Sequence, residues 1–479
     1  MASLLEISKP EYDLMAVESI DRSTDNIVYR TYEPDVPLSV PANTATPQNI
    51  VYSIRDLGEF FLLADSYVLV TGKFLQATGG NLAAADNPAL ECASTSFFSQ
   101  SRLRLNSQLI EDNSTLSHIN AFIKQLTTLS PDYANTCGSN SGFILDQNTG
   151  CSQDIDYTDT VGERNVVYNA GYKARRRQAG GGEAKTDGLG TDQLAGQIVR
   201  SYVVRLADLF SAASCRKVMK NVSVRVELTT RTQAEMIFQG VGDACKFQID
   251  KMQLVIAVHN PSLSELANME QILASGQEIN YQYLKYTTYE SDSAGVNNSG
   301  YRSFTFNTSS QKPLGCFVTT QRPPVGGVSE TLYNSMLFDN CSLTNLRVKI
   351  NGRQYPYSEY EMSFSADRIS RSFARPYEEL LRYMNKHYDT NSGALINADD
   401  WANCYPIYWI PFHNLSPAPS YQITTELKSS LASGATAFAV DGNATNSRSR
   451  SDYKIYLTLL TVGEFSITGD RSGMLVKSQ

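Results

Sequence analysis

The feature that most limits the fold is a pattern of segments that occurs twice along the chain in the same order. In the first half, residues 102–109 alternate polar and apolar side chains with a period of two, which is typical of a strand with one buried face. Phe97-Phe98 precede this strand, and residues 119–129 follow it with the apolar spacing of an amphipathic helix. Because strands and helices do not alternate regularly, helix bundles and doubly wound α/β folds fit badly.

The second half repeats this order. Leu337-Phe338 precede a strand-like segment at 346–352, and a helix is predicted at 376–384. That helix begins with Pro376, a residue that the first turn of a helix accepts.

Two further strand-like segments follow the long loop in each half. We match the first-half pair, 202–206 and 222–228, with the second-half pair, 405–412 and 453–460. The two members start about 20 residues apart in the first half and about 48 apart in the second. We interpret the repeat as two related β domains that meet near residue 245. The alternative is a single irregular β protein whose halves are similar by accident.

The predicted fold is therefore all-β, with two jelly-roll β-sandwich domains in tandem (a double jelly roll) and a few short helices in the connecting loops. The predicted division is an N-terminal arm at 1–25, a first jelly roll at 26–245, a second at 246–468 and a C-terminal tail at 469–479. The first jelly roll carries a glycine-rich insert at about 138–196. A stretch of this length usually marks a functional or mobile surface loop.

Charge and apolar patterning exclude several classes of protein. The formal net charge is −8, whereas non-specific nucleic-acid binding needs a concentrated positive field. No stretch approaches the roughly 20 continuous apolar residues of a membrane span. Residues 1–9 lack a basic start before an apolar run, so we expect synthesis inside the cell without a signal peptide. The 8 cysteines form no CxxC pair and are expected to be reduced.

The sequence shows no recognisable reaction centre. Its 4 histidines stand alone, and no G-x-S-x-G nucleophile elbow occurs. The acidic pair Asp399-Asp400 fits a solvated turn or a helix cap better than a metal site. We therefore predict no catalytic residue, no metal site and no cofactor, and we expect a structural or binding protein rather than an enzyme.

One basic run is a candidate contact for nucleic acid. Arg175, Arg176 and Arg177 precede the glycines at 180–182 within the insert. Guanidinium groups there suit phosphate oxygens or an acidic neighbour. The glycines do not form a P-loop, since no strand leads into them and no Lys-Ser/Thr pair follows. The alternative interpretation of the arginines is a solvated loop with a high local charge.

Several segments together carry a resemblance to a known family. They are the strand at 65–74, Phe97-Phe98-Ser99 leading to residues 104–106 and a helix, and the strand 346–352 with the helix that contains 377–381. In their order and spacing they resemble the double jelly-roll major capsid proteins of the Polinton/Maverick, adintovirus and virophage group of double-stranded DNA viruses and elements. The resemblance covers about 26–468.

This resemblance implies a homotrimer whose six jelly rolls form a pseudo-hexameric capsomer, with capsomers tiling an icosahedral shell around a double-stranded DNA genome. It implies location in the virion, contacts with further copies of the chain and with penton and minor capsid proteins, and genome contact that is not sequence-specific. Clusters of tyrosine such as that at 281–289 fit either an aromatic-rich trimer interface or ordinary sandwich packing.

Other functions are left open by the residues alone. A minor capsid or penton protein usually needs one jelly roll, and the repeat argues against it. A carbohydrate- or receptor-binding β protein, such as a lectin or spike, is the alternative from another class. A glycosidase on a β scaffold would need two carboxylates about 5–10 Å apart in a cleft.

Overall fold

The protein is described by a computed structural model at residues 24–38, 47–82, 88–146, 170–178, 199–232, 235–238, 245–292, 294–295, 300–308, 311–322, 334–364, 371–387, 393–430, 452–470 and 473–478. The strands are β1 Thr24–Tyr32, β2 Asn49–Leu57, β3 Phe61–Gln76, β4 Phe98–Leu105, β5 Gln108–Asn113, β6 Val199–Arg205, β7 Val222–Thr230, β8 Cys245–Pro261, β9 Glu278–Glu290, β10 Arg302–Thr308, β11 Pro313–Gln321, β12 Leu343–Ile350, β13 Arg353–Glu361, β14 Tyr408–Pro411, β15 Tyr421–Ser429, β16 Asp452–Asp470 and β17 Gly473–Ser478. Two-residue strands also lie at Ala89–Leu90, Ile237–Phe238, Ala294–Gly295, Ser363–Phe364 and Arg371–Ser372. The helices are α1 Ser117–Thr128, α2 Pro131–Asn135, α3 Ala170–Gln178, α4 Leu206–Leu209, α5 Leu263–Ala274, α6 Ala374–Tyr383 and α7 Ala398–Asn403.

The first eight strands form two four-stranded antiparallel sheets. Their order is β1-β8-β3-β6 in one sheet and β2-β7-β4-β5 in the other. Strand β7 shows why the sheets face each other: Val222, Val224, Val226 and Leu228 are all buried and alternate with more exposed residues. Such alternation gives each strand one core face, and the two core faces pack as a sandwich.

The next eight strands repeat this arrangement. Their order is β9-β16-β11-β14 in one sheet and β10-β15-β12-β13 in the other, so each strand corresponds to the one eight positions earlier. Two sandwiches with one strand order, joined in tandem, confirm the all-β double jelly roll predicted from the sequence.

The predicted domain boundary at residue 245 is corrected by the pairing of β8. This strand lies between β1 and β3, with Tyr29 opposite Ala257 and Tyr67 opposite Val255. The first sandwich therefore extends to Pro261. The alternating pattern of β8 shows which side chains face a core, but strand pairing is a long-range contact that the local pattern does not specify.

The predicted match of the late strands is also corrected. The counterpart of β7 is β15, Tyr421–Ser429, which the sequence analysis missed, and the segment 453–460 belongs to β16, the counterpart of β8. Strand β15 is easily overlooked because two threonines, a glutamate and a lysine lie among its residues. The predicted tail at 469–479 contains β17, which pairs with the end of β16. The predicted arm at 1–25 lies outside the described residues except at its end, where β1 begins.

Two apolar cores, one for each sandwich, continue into the neighbouring sandwich. The first core includes Tyr281 and Phe465 from the second sandwich, and the second core includes Phe122 and Ile123 from α1. Each core is completed by residues of the other sandwich, so the two sandwiches form one packed body.

Candidate functional site

The two sandwiches are joined along β9, whose tyrosines contact the first sandwich. The Tyr281 hydroxyl donates to the Val218 carbonyl oxygen at 3.0 Å, and its ring stacks on Phe465 with centroids 4.6 Å apart. The Tyr283 hydroxyl donates to the Ile110 carbonyl oxygen at 3.5 Å. Burial raises the pKa of both phenols, so both remain neutral donors at neutral pH. These tyrosines therefore pack within one chain.

A loop of the first sandwich, residues 215–219, holds the same end of β9. The Cys215 thiol donates to the Gln282 carbonyl oxygen at 3.4 Å, and the Lys217 ammonium donates to the Asn280 carbonyl oxygen at 2.8 Å. Among the described strands, β9 lies at the edge of its sheet, so its outer carbonyl groups face no neighbouring strand of that set. The loop supplies the donors that a further strand would have provided.

Helix α1 covers the middle of β9 and lies between the two sandwiches. The Asn120 amide donates to the Tyr286 carbonyl oxygen at 3.2 Å, and its side-chain oxygen accepts from the Thr288 hydroxyl at 3.1 Å. The Phe122 ring centroid lies 6.0 Å from that of Phe338. Nine of the twelve residues of α1 are buried, so nearly every face of this helix is in contact with protein. We call α1, the loop 215–219 and β9 the junction.

A buried ion pair lies beside the junction, where loops of the two sandwiches meet. Arg231 Nη1 lies 2.5 Å from Glu91 Oε2, and both side chains are buried. Ser335 of the second sandwich donates its backbone N–H to Glu91 Oε1 at 2.9 Å, and Arg231 Nη2 donates to its hydroxyl at 3.0 Å. Removing one charge would leave the other buried without its partner, which typically costs about 3–5 kcal/mol.

A second buried ion pair lies nearby, between helix α3 and Asp146, and it also contacts the segment 334–335 of the second sandwich. Arg175 Nη2 lies 2.7 Å from Asp146 Oδ1, and Arg175 Nε donates to the Leu90 carbonyl oxygen at 2.9 Å. From the second sandwich, the Asn334 amide donates to Asp146 Oδ2 at 3.0 Å, and the Tyr405 hydroxyl accepts from the Asp146 N–H at 2.8 Å. Burial opposes the charge of the guanidinium, but the adjacent Asp146 carboxylate raises the pKa of Arg175 above its ordinary value.

The basic run at 175–177 therefore has a different setting from either sequence interpretation. It lies on helix α3 rather than on a loop, and the Arg175 side chain is 1% exposed. A phosphate has no access to it, so the prediction for Arg175 is corrected to a structural role. Successive helical residues point about 100° apart, and the sequence does not show which one faces the core. The side chains of Arg176 and Arg177 lie outside the described residues, and nucleic-acid contact by them stays a prediction.

Other residues singled out in the sequence have structural surroundings. Asp399 and Asp400 lie in the first turn of α7, where the Asn397 side chain accepts from the Asp400 N–H at 2.8 Å, which confirms the helix-cap interpretation. Burial lowers the pKa of His118 well below its usual value, so its imidazole is neutral. Among the residues that the structure describes, no three His, Cys, Asp or Glu side chains are grouped as metal ligands. In the same part of the chain, every helix is too short or too polar to cross a bilayer.

Sequence reasoning missed the polar partners at the junction. Glu91 gave one signal, because it is the only acidic residue in the largely apolar stretch 88–98. Asp146 and Asn334 gave none, since neither stands in a recognisable motif: Asp146 follows Phe-Ile-Leu and Asn334 follows Leu-Tyr. Their pairing depends on loops that are distant in sequence and meet only in the folded chain.

Comparison with known proteins identifies the fold. Residues 187–417, which include parts of both sandwiches, match the family model of the double jelly roll-like domain. No curated protein matches the chain. Among solved structures, a chain in the cryo-EM structure of the Sputnik virophage is similar, with a TM-score of 0.54, 11% identity and coverage of 100% of this chain and 93% of that one. The crystal structure of the mavirus major capsid protein is similar as well, with a TM-score of 0.51, 11% identity and coverage of 100% and 95%.

Proposed function

We propose, from the premise that this chain has the double jelly-roll fold, that it is a viral major capsid protein that acts by self-assembly. Three copies associate into a pseudo-hexameric capsomer, and capsomers tile an icosahedral shell around double-stranded DNA. One of the similar structures is that of a major capsid protein, from mavirus. The chain belongs in the virion and carries out no reaction.

The observation that carries this proposal is the pair of sandwiches with one strand order and a buried junction. A capsomer of sixfold outline needs six like units, and a chain with two like units supplies them in three copies. The shared cores and the buried ion pairs make each chain a rigid building block, which repeated tiling requires.

The partners follow from the same proposal. The chain contacts further copies of itself. It also contacts penton and minor capsid proteins at positions of the shell that a pseudo-hexameric capsomer does not fill. Its net charge of −8 opposes extended contact with nucleic acid, so contact with the genome is local and not sequence-specific, with Arg176 and Arg177 as the candidate positions.

Native mass by light scattering, followed by negative-stain imaging of the same peak, tests the proposal. We expect about 159 kDa, three times the chain mass of 52.9 kDa, and a hexagonal outline. A stable monomer or a ring of five would contradict the assignment. A glycan-binding oligomer that never tiles would favour the lectin-like alternative.

A further inference from the structure

The repeat of the fold gives every junction element a counterpart at the opposite end of the chain. Helix α6 follows β13 as α1 follows β5, and the loop 412–420 joins β14 to β15 as the loop containing 215–219 joins β6 to β7. Strand β1 is the counterpart of β9, since both are edge strands in equivalent sheets.

The sequence and ring contacts support the match of β1 with β9. Residues 29–32 read Tyr-Arg-Thr-Tyr, and residues 286–289 read Tyr-Thr-Thr-Tyr. The Tyr29 ring lies 6.2 Å from that of Tyr67 on β3, and the Tyr286 ring lies 6.2 Å from that of Phe317 on β11. The two tyrosines therefore hold equivalent positions.

The junction elements of the first sandwich and their counterparts in the second differ in how far their residues are buried. Nine of the twelve residues of α1 are buried, whereas Pro376 and Leu380 are the two buried residues of α6. In the loop 413–420, every residue except Leu415 and the half-buried Ala418 is exposed. Helix α6 contacts its own sandwich through Tyr383, whose hydroxyl lies 2.7 Å from that of Tyr286, and the loop accepts a hydrogen bond from Arg353 at the Asn414 carbonyl oxygen. The rest of both surfaces is less covered than α1 is in the first sandwich.

Strand β1 shows the complementary difference. Tyr286 is 2% exposed, but its equivalent Tyr29 is 54% exposed, and the adjacent Ile27 and Val28 are 40% and 39% exposed. Three consecutive exposed apolar residues on an edge strand are a surface that soluble proteins normally avoid unless a partner covers it.

We propose that β1 of one copy docks against α6 and the loop 413–420 of a second copy, in the way that β9 docks against α1 and the loop 215–219 within each chain. This proposal rests on the proposed function and names the surfaces that join the copies. The contact is heterologous, because a different face is used on each copy, and heterologous contacts close into a ring when the rotation allows it. Apolar residues of β1 are covered, and its outer carbonyl groups gain side-chain donors, as those of β9 do from Asn120 and Lys217.

A pair of variants of the full chain tests the surface. Tyr29→Glu places a carboxylate at the centre of the proposed contact. Val199→Glu introduces the same charge at a residue that is also 54% exposed but lies on β6, at the opposite edge of the same sheet. In a dilution series followed by light scattering, we expect Tyr29→Glu to raise the dissociation midpoint at least about 100-fold, because an unpaired charge is costly to bury. We expect Val199→Glu to match the wild type, and both variants to keep its circular dichroism spectrum.

Each outcome has one meaning. A wild-type trimer that Tyr29→Glu leaves unchanged would overturn this inference and leave the capsid assignment standing. A monomeric wild type would remove the proposed function. Loss of the trimer on deletion of residues 1–23, with no effect of Tyr29→Glu, would also overturn the inference in favour of the terminal segment.

Cross-linking between copies gives a second measurement. In the Thr31→Cys, Glu378→Cys double variant, a short bis-maleimide should join β1 of one copy to α6 of the next and give covalent dimers and trimers on a denaturing gel. Each single variant serves as the control for the natural cysteines. Equal cross-linking in the double variant and the single variants would contradict the contact.

Discussion

Helices α1 and α6 hold equivalent places in the two sandwiches, yet nine of the twelve residues of α1 are buried and only two of the ten residues of α6 are. The difference is not one of fold, because both follow the fifth strand of the same topology. It arises because α1 has the second sandwich beside it, while α6 has no further sandwich beside it in the part of the chain that the structure describes. A tandem repeat thus shows, through its internal contact, what the terminal repeats need from another molecule.

The largest effect should come from breaking the ion pair beside the junction. Arg231→Met leaves Glu91 buried without its charged partner, and we expect the free energy of unfolding to fall by about 3–5 kcal/mol. The matched control is Arg102→Met, whose partner Asp112 lies 3.0 Å away but whose side chain is 38% exposed. That change should cost at most about 1 kcal/mol in urea unfolding. Equal losses in the two variants would mean that the buried pair does not hold the sandwiches together.

The next largest effect should come from shortening one apolar side chain in each of the helices α1 and α6, which are expected to respond differently. Ile123→Ala removes a buried side chain from the second core and should cost about 2–5 kcal/mol. Leu381→Ala, at a half-buried position of α6, should cost clearly less in the dissociated chain. Its larger effect should appear in the association midpoint of the oligomer. A comparable loss of monomer stability in both variants would contradict the contrast between the helices.

Strands β9 and β1 can be compared through their tyrosines. Tyr281→Phe removes the hydroxyl that donates to the Val218 carbonyl oxygen and should cost about 0.5–1.5 kcal/mol. Tyr29→Phe should leave the unfolding free energy of the dissociated chain unchanged, because Tyr29 is exposed there. Thermal unfolding at low protein concentration measures both. A measurable loss in Tyr29→Phe would show that the Tyr29 hydroxyl already has a hydrogen-bond partner within the chain.

The smallest expected effect is the change in stability that titration of the junction tyrosines Tyr281 and Tyr283 causes at alkaline pH. Burial raises the pKa of Tyr281 and Tyr283 above the ordinary value of about 10. Above pH 10 the unfolded chain releases these protons while the folded chain retains them, so stability falls as pH rises further. Below pH 9 they contribute no slope. Urea unfolding between pH 9 and 11 should show a shallower decline in Tyr281→Phe than in the wild type, and identical slopes would contradict this origin.

Much of the fold followed from the sequence because it depends on local patterns. The period of two at 102–109 and 346–352, with a helix after each, indicated strands in two related sandwiches. What failed depended on long-range pairing: β8 joined the first sandwich rather than the second, and β15 was missed among polar residues. Local alternation shows which side chains face a core, but it does not show which strand lies alongside.

The junction was less predictable than the fold. The tyrosines at 281–289 suited an interface between copies or ordinary packing equally well, and two of them proved to be packed against the first sandwich. Arg175 was visible as part of a basic run, but its pairing with Asp146 depends on two segments 29 residues apart that meet beside the second sandwich. Only the folded chain shows which of its surfaces remain without a partner.

A cryo-EM reconstruction of the purified oligomer would show directly whether neighbouring copies meet through β1 and α6. We predict a closed ring of six sandwiches from three chains, in which β1 of each copy lies against α6 and the loop 413–420 of its neighbour. A ring in which β1 and α6 both face solvent would contradict the proposed contact, and an assembly without six sandwiches would contradict the capsomer.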